Sequence, residues 1–185
     1  MTETLTEPAL TGDYVLDPVH TRIGFSVRHA MVTNVKGHFG TFSGTAHLDS
    51  DDIAKSSASL EIDVASITTG NVDRDSHLRT GDFFDVEKFP KITFVSTGAE
   101  KADDEVYVLR GDLTIKDVTR PVELKFELTG TGNDPWGNFR AGFEGAATVS
   151  RKDWGLTYNM ALEAGGVVIA DKVKLEFDIA AVKQA

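Results

Sequence analysis

Between Asn71 and Asp85 the sequence gathers Asp73, Asp75, His77 and Asp82, with Asp85 closing the run. Carboxylates around an imidazole suit general acid–base catalysis and can hold a divalent metal. His77 with Asp75 or Asp82 is therefore a candidate acid–base pair for a hydrolase-type enzyme. No nucleophile elbow, phosphate-binding loop or H-E-x-x-H pattern accompanies it. The same residues have an ordinary reading, in which Asp73 and Asp75 favour the first turn of a helix by their charge and His77 bonds locally. On that reading the segment holds neither a catalytic residue nor a metal.

A second group, His20, His29, His38 and His47, recurs every nine residues. An odd interval puts successive side chains on opposite faces of a strand, so one unbroken strand cannot converge them on a metal. They are read as structural. The third group is apolar. The chain has 11 Phe against 2 Trp and 3 Tyr, and Phe supplies area without a polar handle. Phe25, Phe42, Phe94, Phe126, Phe143 and Phe177 fall on separate proposed strands. Gly37, Gly40, Gly44, Gly142, Gly145, Ala146 and Ala147 supply little bulk beside them. Large rings against small residues either interlock into a filled core or leave an apolar channel, and the pattern leaves both open.

The elements that must position these groups are mostly strands. Period-two alternation runs through Ile23, Phe25, Val27; Ala58, Leu60, Ile62, Val64; Val122, Leu124, Phe126, Leu128; and Val173, Leu175, Phe177, Ile179. Further strands are read near residues 36–48, 91–99, 106–116 and 139–150. With Tyr14–Asp17 opening the first, the total is about eight, the number for a small closed antiparallel barrel that can hold one ligand. A two-sheet sandwich has the same strand count. Val72–Thr80 is read as a short helix, with Asn71 as its N-cap and Gly81 as its stop, lidding one end of the barrel. A second helical turn is read at Arg151–Trp154.

The 185 residues carry a formal net charge of −10 and no Cys. The acidic balance argues against nucleic acid, and without Cys there is no disulfide, thiol chemistry or Cys-based zinc site. No apolar run approaches the roughly 18 residues of a membrane span. Residues 1–12 lack the basic and apolar segments of an export signal, so the expectation is a cytoplasmic protein with a disordered stretch at 1–12 and one barrel domain at 13–185.

The chain resembles the YceI-like family. Asp17, His20, Thr21, Ile23, Phe25, Val27 and His29 fill its opening pattern, and Val35, Gly37, Phe39, Phe42 and Gly44 the next. The central signature runs from Arg74-Asp75 through His77-Leu78, Asp82-Phe83-Phe84-Asp85 and Phe89-Pro90 to Ile92 and Phe94. Gly111–Ile115 with Thr119, Pro121, Val122 and Leu124 follow, then Ser150–Leu156, where Trp154 stands in place of the more usual Phe. The likeness covers residues 13–182.

The resemblance implies an all-β, extended eight-stranded antiparallel lipocalin-like barrel binding a long polyisoprenoid lipid, as a prenyl pyrophosphate or an isoprenoid quinone, for storage or transport. It also implies a homodimer, no cofactor and no catalysis. Many relatives are exported to the periplasm. The expected tunnel lining is Phe25, Val27, Phe42, Phe94, Phe126, Phe143 and Phe177, with Leu78, Phe83 and Phe84 at the lid. Arg74, Arg79, Lys88 and Lys91 are the candidate head-group contacts. Fatty acids or amides are the alternative among long-chain amphiphiles.

Overall fold

In β9 (Val118–Asn133), Val122, Leu124, Phe126 and Leu128 turn inward while Glu123, Lys125 and Glu127 stay wet. The same alternation, with one dry face, shapes every long strand of the computed structural model, which describes residues 10–162 and 166–185. The other strands are β1 (Gly12–Leu16), β2 (Arg22–His29), β3 (Thr33–Phe39), β4 (Phe42–Leu48), β5 (Ser57–Asp63), β6 (Ile67–Thr68), β7 (Lys91–Asp103), β8 (Val106–Ile115), β10 (Phe139–Ser150) and β11 (Ile169–Lys183); one helix, α1, spans Val72–Leu78.

These 11 strands make eight staves. β11 pairs with β1 through Leu16↔Ala181 and with β2 through Arg22↔Asp178, so β1 and β2 are one stave interrupted at Asp17–Thr21. β4 pairs with β1 and β3 with β2; β5 pairs with β4 and β6 with β3. The remaining staves, β7 to β10, are continuous, and β11 closes an antiparallel barrel. At the first break the buried Thr21 hydroxyl donates to the Ala180 carbonyl and accepts from the Ala180 N–H, at 3.2 and 3.0 Å. A side chain thus replaces a missing rung, as a buried ladder requires.

The registers place the β2–β3 turn, α1 and its following loop, the β8–β9 turn and the β10–β11 connection at one end. The β4–β5 connection and the β7–β8 and β9–β10 turns lie at the other. The Asn71 side chain accepts from the Arg74 N–H and caps α1. The helix is two residues shorter than the expected 72–80. It ends at Leu78, because the Thr80 hydroxyl turns back to the His77 carbonyl at 2.6 Å. Gly81 is not left-handed and is not the stop. The turn at Arg151–Trp154 forms as a 3-10 helix ended by left-handed Gly155.

Residues 1–9 of the expected disordered segment lie outside the described residues. Leu10–Gly12, counted in that segment, belong to the barrel: Leu10 packs on Tyr14, Ala141 and Ala181, and β1 begins at Gly12. The Tyr14 hydroxyl donates to the Leu10 carbonyl at 2.8 Å, and burial pushes its pKa up to about 12.

Inside the barrel, aromatic rings lie across glycines of the next strand. Phe25 is opposite Gly37, where a Cβ would stand 2.5 Å from the ring. Phe126 is opposite Gly145 in the same way, and a Cβ on Gly111 would stand 2.5 Å from the Phe94 ring and 2.6 Å from the Val95 carbonyl. Gly111→Ala is expected to lower stability by roughly 1–3 kcal/mol through overpacking. Gly98→Ala, on the same hairpin with nothing within 4 Å, should change it by less than about 1 kcal/mol. Urea unfolding of the two variants measures the contrast.

Candidate functional site

Because the rings occupy the space of missing Cβ atoms, they line the wall and leave the lumen open. The result is a cavity of about 530 Å³ walled almost entirely by apolar atoms, within the usual range for a small-molecule site. It runs the length of the barrel, from Leu10, Leu48 and Ile53 at one end to His77, Tyr158 and Met160 at the other. Phe25, Val27, Phe94, Phe126, Phe143 and Phe177 lie on its wall, and Leu78, Phe83 and Phe84 border it from the lid.

Phe42 does not. It lies just past the break at Gly40–Thr41 and packs into the cluster of Ile23, Phe39, Ile62, Val64, Ile67 and Ile92, off the cavity wall. The irregular segment after β10 supplies further wall residues at alternate positions, Trp154, Leu156, Tyr158 and Met160, although it is not one of the barrel strands. Trp154 is buried with its indole N–H on the Leu113 carbonyl at 3.0 Å, tying this segment to β8.

The candidate head-group cations are not gathered around the cavity. Arg79 donates to the Ala65 and Ile67 carbonyls at 3.0 and 3.1 Å. Lys91 pairs with Glu61 at 3.4 Å on the outer surface, and Lys88 is exposed. Arg74 alone of the four borders the cavity, and its guanidinium is engaged by the Thr69 hydroxyl and carbonyl at 2.6 and 2.9 Å. An arginine's partners cannot be read from its sequence neighbours, and here they are carbonyls freed where β5 and β6 break. Beside Arg74, the arginines that line the cavity are Arg28 and Arg151, with the imidazoles of His29 and His77. Arg151 is buried and donates to the carbonyls of Leu156, Tyr158, Ile169 and Ala170. Burial lowers its pKa, against the raising effect of the Asp171 charge.

The acid–base candidates are divided. His77 Nε2 shares a hydrogen bond with Asp82 Oδ2 at 2.8 Å, and both are substantially exposed. The imidazole also packs edge-on against Phe83 and Tyr158, ring centres 5.1 Å away in each case, so it joins the lid to the segment after β10. Asp75 is buried and accepts from the Thr69 N–H and hydroxyl at 2.8 and 2.6 Å. Burial acts to raise its pKa, but the hydrogen bonds from Thr69 and Thr68 and the Arg79 charge outweigh it and hold the carboxyl below its ordinary range. His20 and His47 pair separately with Asp17 and Asp13, each at 2.7 Å. Among the described residues no three His, Cys, Asp or Glu side chains group to hold a metal.

The YceI-like domain pattern matches residues 14–181, nearly the whole barrel. The chain belongs to the YceI-like family. A UPF0312 protein of Photorhabdus laumondii is 40% identical over 148 residues, 79% of this chain and 77% of that one. A UPF0312 protein of Pseudomonas paraeruginosa is 39% identical over 154 residues, 82% of this chain and 80% of that one. The Campylobacter jejuni YceI protein superposes with a TM-score of 0.73 at 30% identity, covering 92% of this chain and 97% of its own. A polyisoprenoid-binding domain from Saccharophagus degradans shares the fold, with a TM-score of 0.65 at 16% identity over 92% of this chain and 98% of its own.

In this YceI-like barrel Asp75 links lid stability to pH. Its native pKa is below the unfolded value of about 4. Its stabilisation is therefore full above that value and is lost as pH falls through the lowered native pKa. Asp75→Asn is expected to cost roughly 1–3 kcal/mol at neutral pH. The gap from wild type should narrow steadily below about pH 4, as urea midpoints at a series of pH values would record.

Proposed function

We propose that this protein binds, without catalysis, the chain of a long polyisoprenoid lipid inside the barrel, to store or carry it. The observation that carries the reading is the tunnel wall: phenylalanine rings laid over glycines around an apolar lumen that runs the length of the barrel. The fold shared with a polyisoprenoid-binding domain supports the same reading. At about 25 cal/mol per Å², burying a few hundred Å² of hydrocarbon contributes on the order of 10 kcal/mol. Association and chain ordering remove about half or more. The roughly 5 kcal/mol that remain correspond to a Kd of about 0.2 mM, and micromolar binding, at about 8 kcal/mol, needs a longer buried chain or an added polar contact.

Between a prenyl pyrophosphate and an isoprenoid quinone, the neutral quinone is the better fit. The net charge of −10 opposes an anionic ligand, and the cations expected to offset it are engaged by carbonyls or stand off the cavity. His77 and Asp82 are read as a structural link between the lid and the segment after β10. A homodimer is part of the proposal, and light scattering measures it.

Lipid extracted from the natively purified protein is expected to contain a long-chain isoprenoid by mass spectrometry, and added polyprenol should bind. Val173→Trp, which puts an indole into the lumen from the wall, should weaken polyprenol binding by about tenfold or more. Recovery of only fatty acids or amides would replace the isoprenoid with another amphiphile. Absence of any long-chain amphiphile, with no binding of added polyprenol, would overturn the reading.

A further inference from the structure

The end of the barrel that carries α1 ends in two apolar tips held against each other. The first is the β2–β3 turn, where Met31 and Val32 are 63% and 72% exposed. The second is the hairpin leading into β11, where Met160 and Val167 are 59% and 44% exposed. The Ala30 N–H donates to the Val168 carbonyl and the Val168 N–H to the Met160 carbonyl, at 2.7 and 2.9 Å. A Cβ on Gly166 would stand 2.6 Å from Met31 Sδ, so the tips are in contact. Arg28, His29 and Met160 are exposed and also line the cavity, which places a mouth of the tunnel beside these tips.

The backbone under the first tip is strained. Ala30 and Met31 both have positive φ, 50° and 61°, in a turn closed by the Val32 N–H on the His29 carbonyl. Such turns favour Asn and Gly, and other residues cost energy there. The β8–β9 turn at the same end has the same left-handed pair in Lys116 and Asp117, whose charged side chains suit water. At Ala30–Met31 the strained positions hold apolar residues, with Ala30 half-buried and Met31 largely exposed apart from its contact with Gly166.

Charge separates the two ends. From Thr21 to Leu48 the sequence has no Asp or Glu and includes Arg22, Arg28 and Lys36, although the chain as a whole carries −10. The acids of the opposite end are concentrated in its connections: Asp49, Asp51 and Asp52 after β4, and Asp103, Asp104 and Glu105 between β7 and β8. The tip end also carries acids, on α1 and its loop, in the β8–β9 turn, in the 3-10 turn and at the start of β11 (Asp73, Asp82, Asp85, Asp117, Asp153 and Asp171 among them). There they are interspersed with Arg74, Arg79, Lys88, Lys116, Lys152 and Lys172; Glu163 lies outside the described residues.

We propose that Met31 and Val32, with Met160 and Val167 beside them, form a contact edge for the surface of an anionic phospholipid bilayer, through which the tunnel exchanges its lipid. The proposal rests on the tunnel being a lipid site. Apolar tips entering the acyl boundary beside a basic strand pair, with the acidic end turned away, match the requirements of interfacial binding. No span is involved, since exposed side chains of two hairpins make the contact.

Flotation of the full chain with phosphatidylcholine–phosphatidylglycerol vesicles, with phosphatidylcholine vesicles as the comparison, tests it. The protein is expected to float with the mixed vesicles and to lose that association as salt is raised. Met31→Asp with Val32→Asp should lower vesicle binding by about tenfold or more, while binding of a fluorescent polyprenol in solution stays unchanged. Met160→Asp, on the other hairpin, should act in the same direction. Wild-type protein that does not float, or a Met31/Val32 variant that floats equally well, overturns the contact edge. A wild-type dimer that these substitutions split, with no flotation, also overturns it and assigns the tips to a second copy. Loss of polyprenol binding in the wild type would instead defeat the tunnel reading, while flotation still decides the surface.

Discussion

An eight-stranded barrel is just wide enough for its own side chains to fill, and this one stays open because rings lie against the wall. Three of these rings lie over a neighbour with no Cβ. Phe25 has Gly37, Phe94 has Gly111 and Phe126 has Gly145, on three different strand pairs around the circumference. Any larger residue at those glycines drives the ring toward the axis, where it would close the lumen. Tunnel width is therefore decided by pairs, and neither member alone has the property. The same pairing serves the sheet, since a ring over a glycine covers backbone that would otherwise be poorly packed.

The three staves that are interrupted, β1–β2, β3–β4 and β5–β6, are neighbours, whereas β7 to β10 run unbroken. One side of the barrel thus turns sharply while the other is continuous, and the breaks release ladder groups that need partners. Thr21 supplies one locally. Arginines supply others: Arg79 collects carbonyls around the break before β6, and Arg151 gathers four where the chain leaves β10 and enters β11. A guanidinium with five donors in a fixed fork suits this task. It also explains why Arg74 and Arg151, beside an apolar cavity, are poor head-group ligands here, because their donors are already engaged.

The strand periodicity, the eight staves, the capped helix and most of the tunnel wall were legible because each depends on local spacing. Phe25, Val27, Phe94, Phe126, Phe143 and Phe177 follow the inward parity of strands that remain regular at those points. Phe42 has the same parity on β4, but the break just before it displaces the ring into the neighbouring cluster. Leu156, Tyr158 and Met160 continue an alternation from Trp154, but they sit in a connection outside the barrel strands, where parity alone fixes no face and Arg151 and the Trp154 bond to β8 set the path. The grouping of basic residues near the lid was misleading, since closeness in sequence says nothing about which carbonyls a long side chain reaches.

The distribution of charge bears on how an acidic protein can handle a lipid at all. A hydrocarbon tail feels almost none of the field set up by the net charge of −10, so its affinity is set by area and fit. Approach to a charged surface depends strongly on that field. With acids gathered on the connections after β4 and between β7 and β8, and none between Thr21 and Leu48, the molecule has a direction even where its total charge is repulsive. Binding and approach are therefore controlled by different parts of the chain: the ring–glycine wall governs what enters, and the acid-free β2–β3 hairpin, set against the acidic connections of the far end, governs which way the barrel faces when it does.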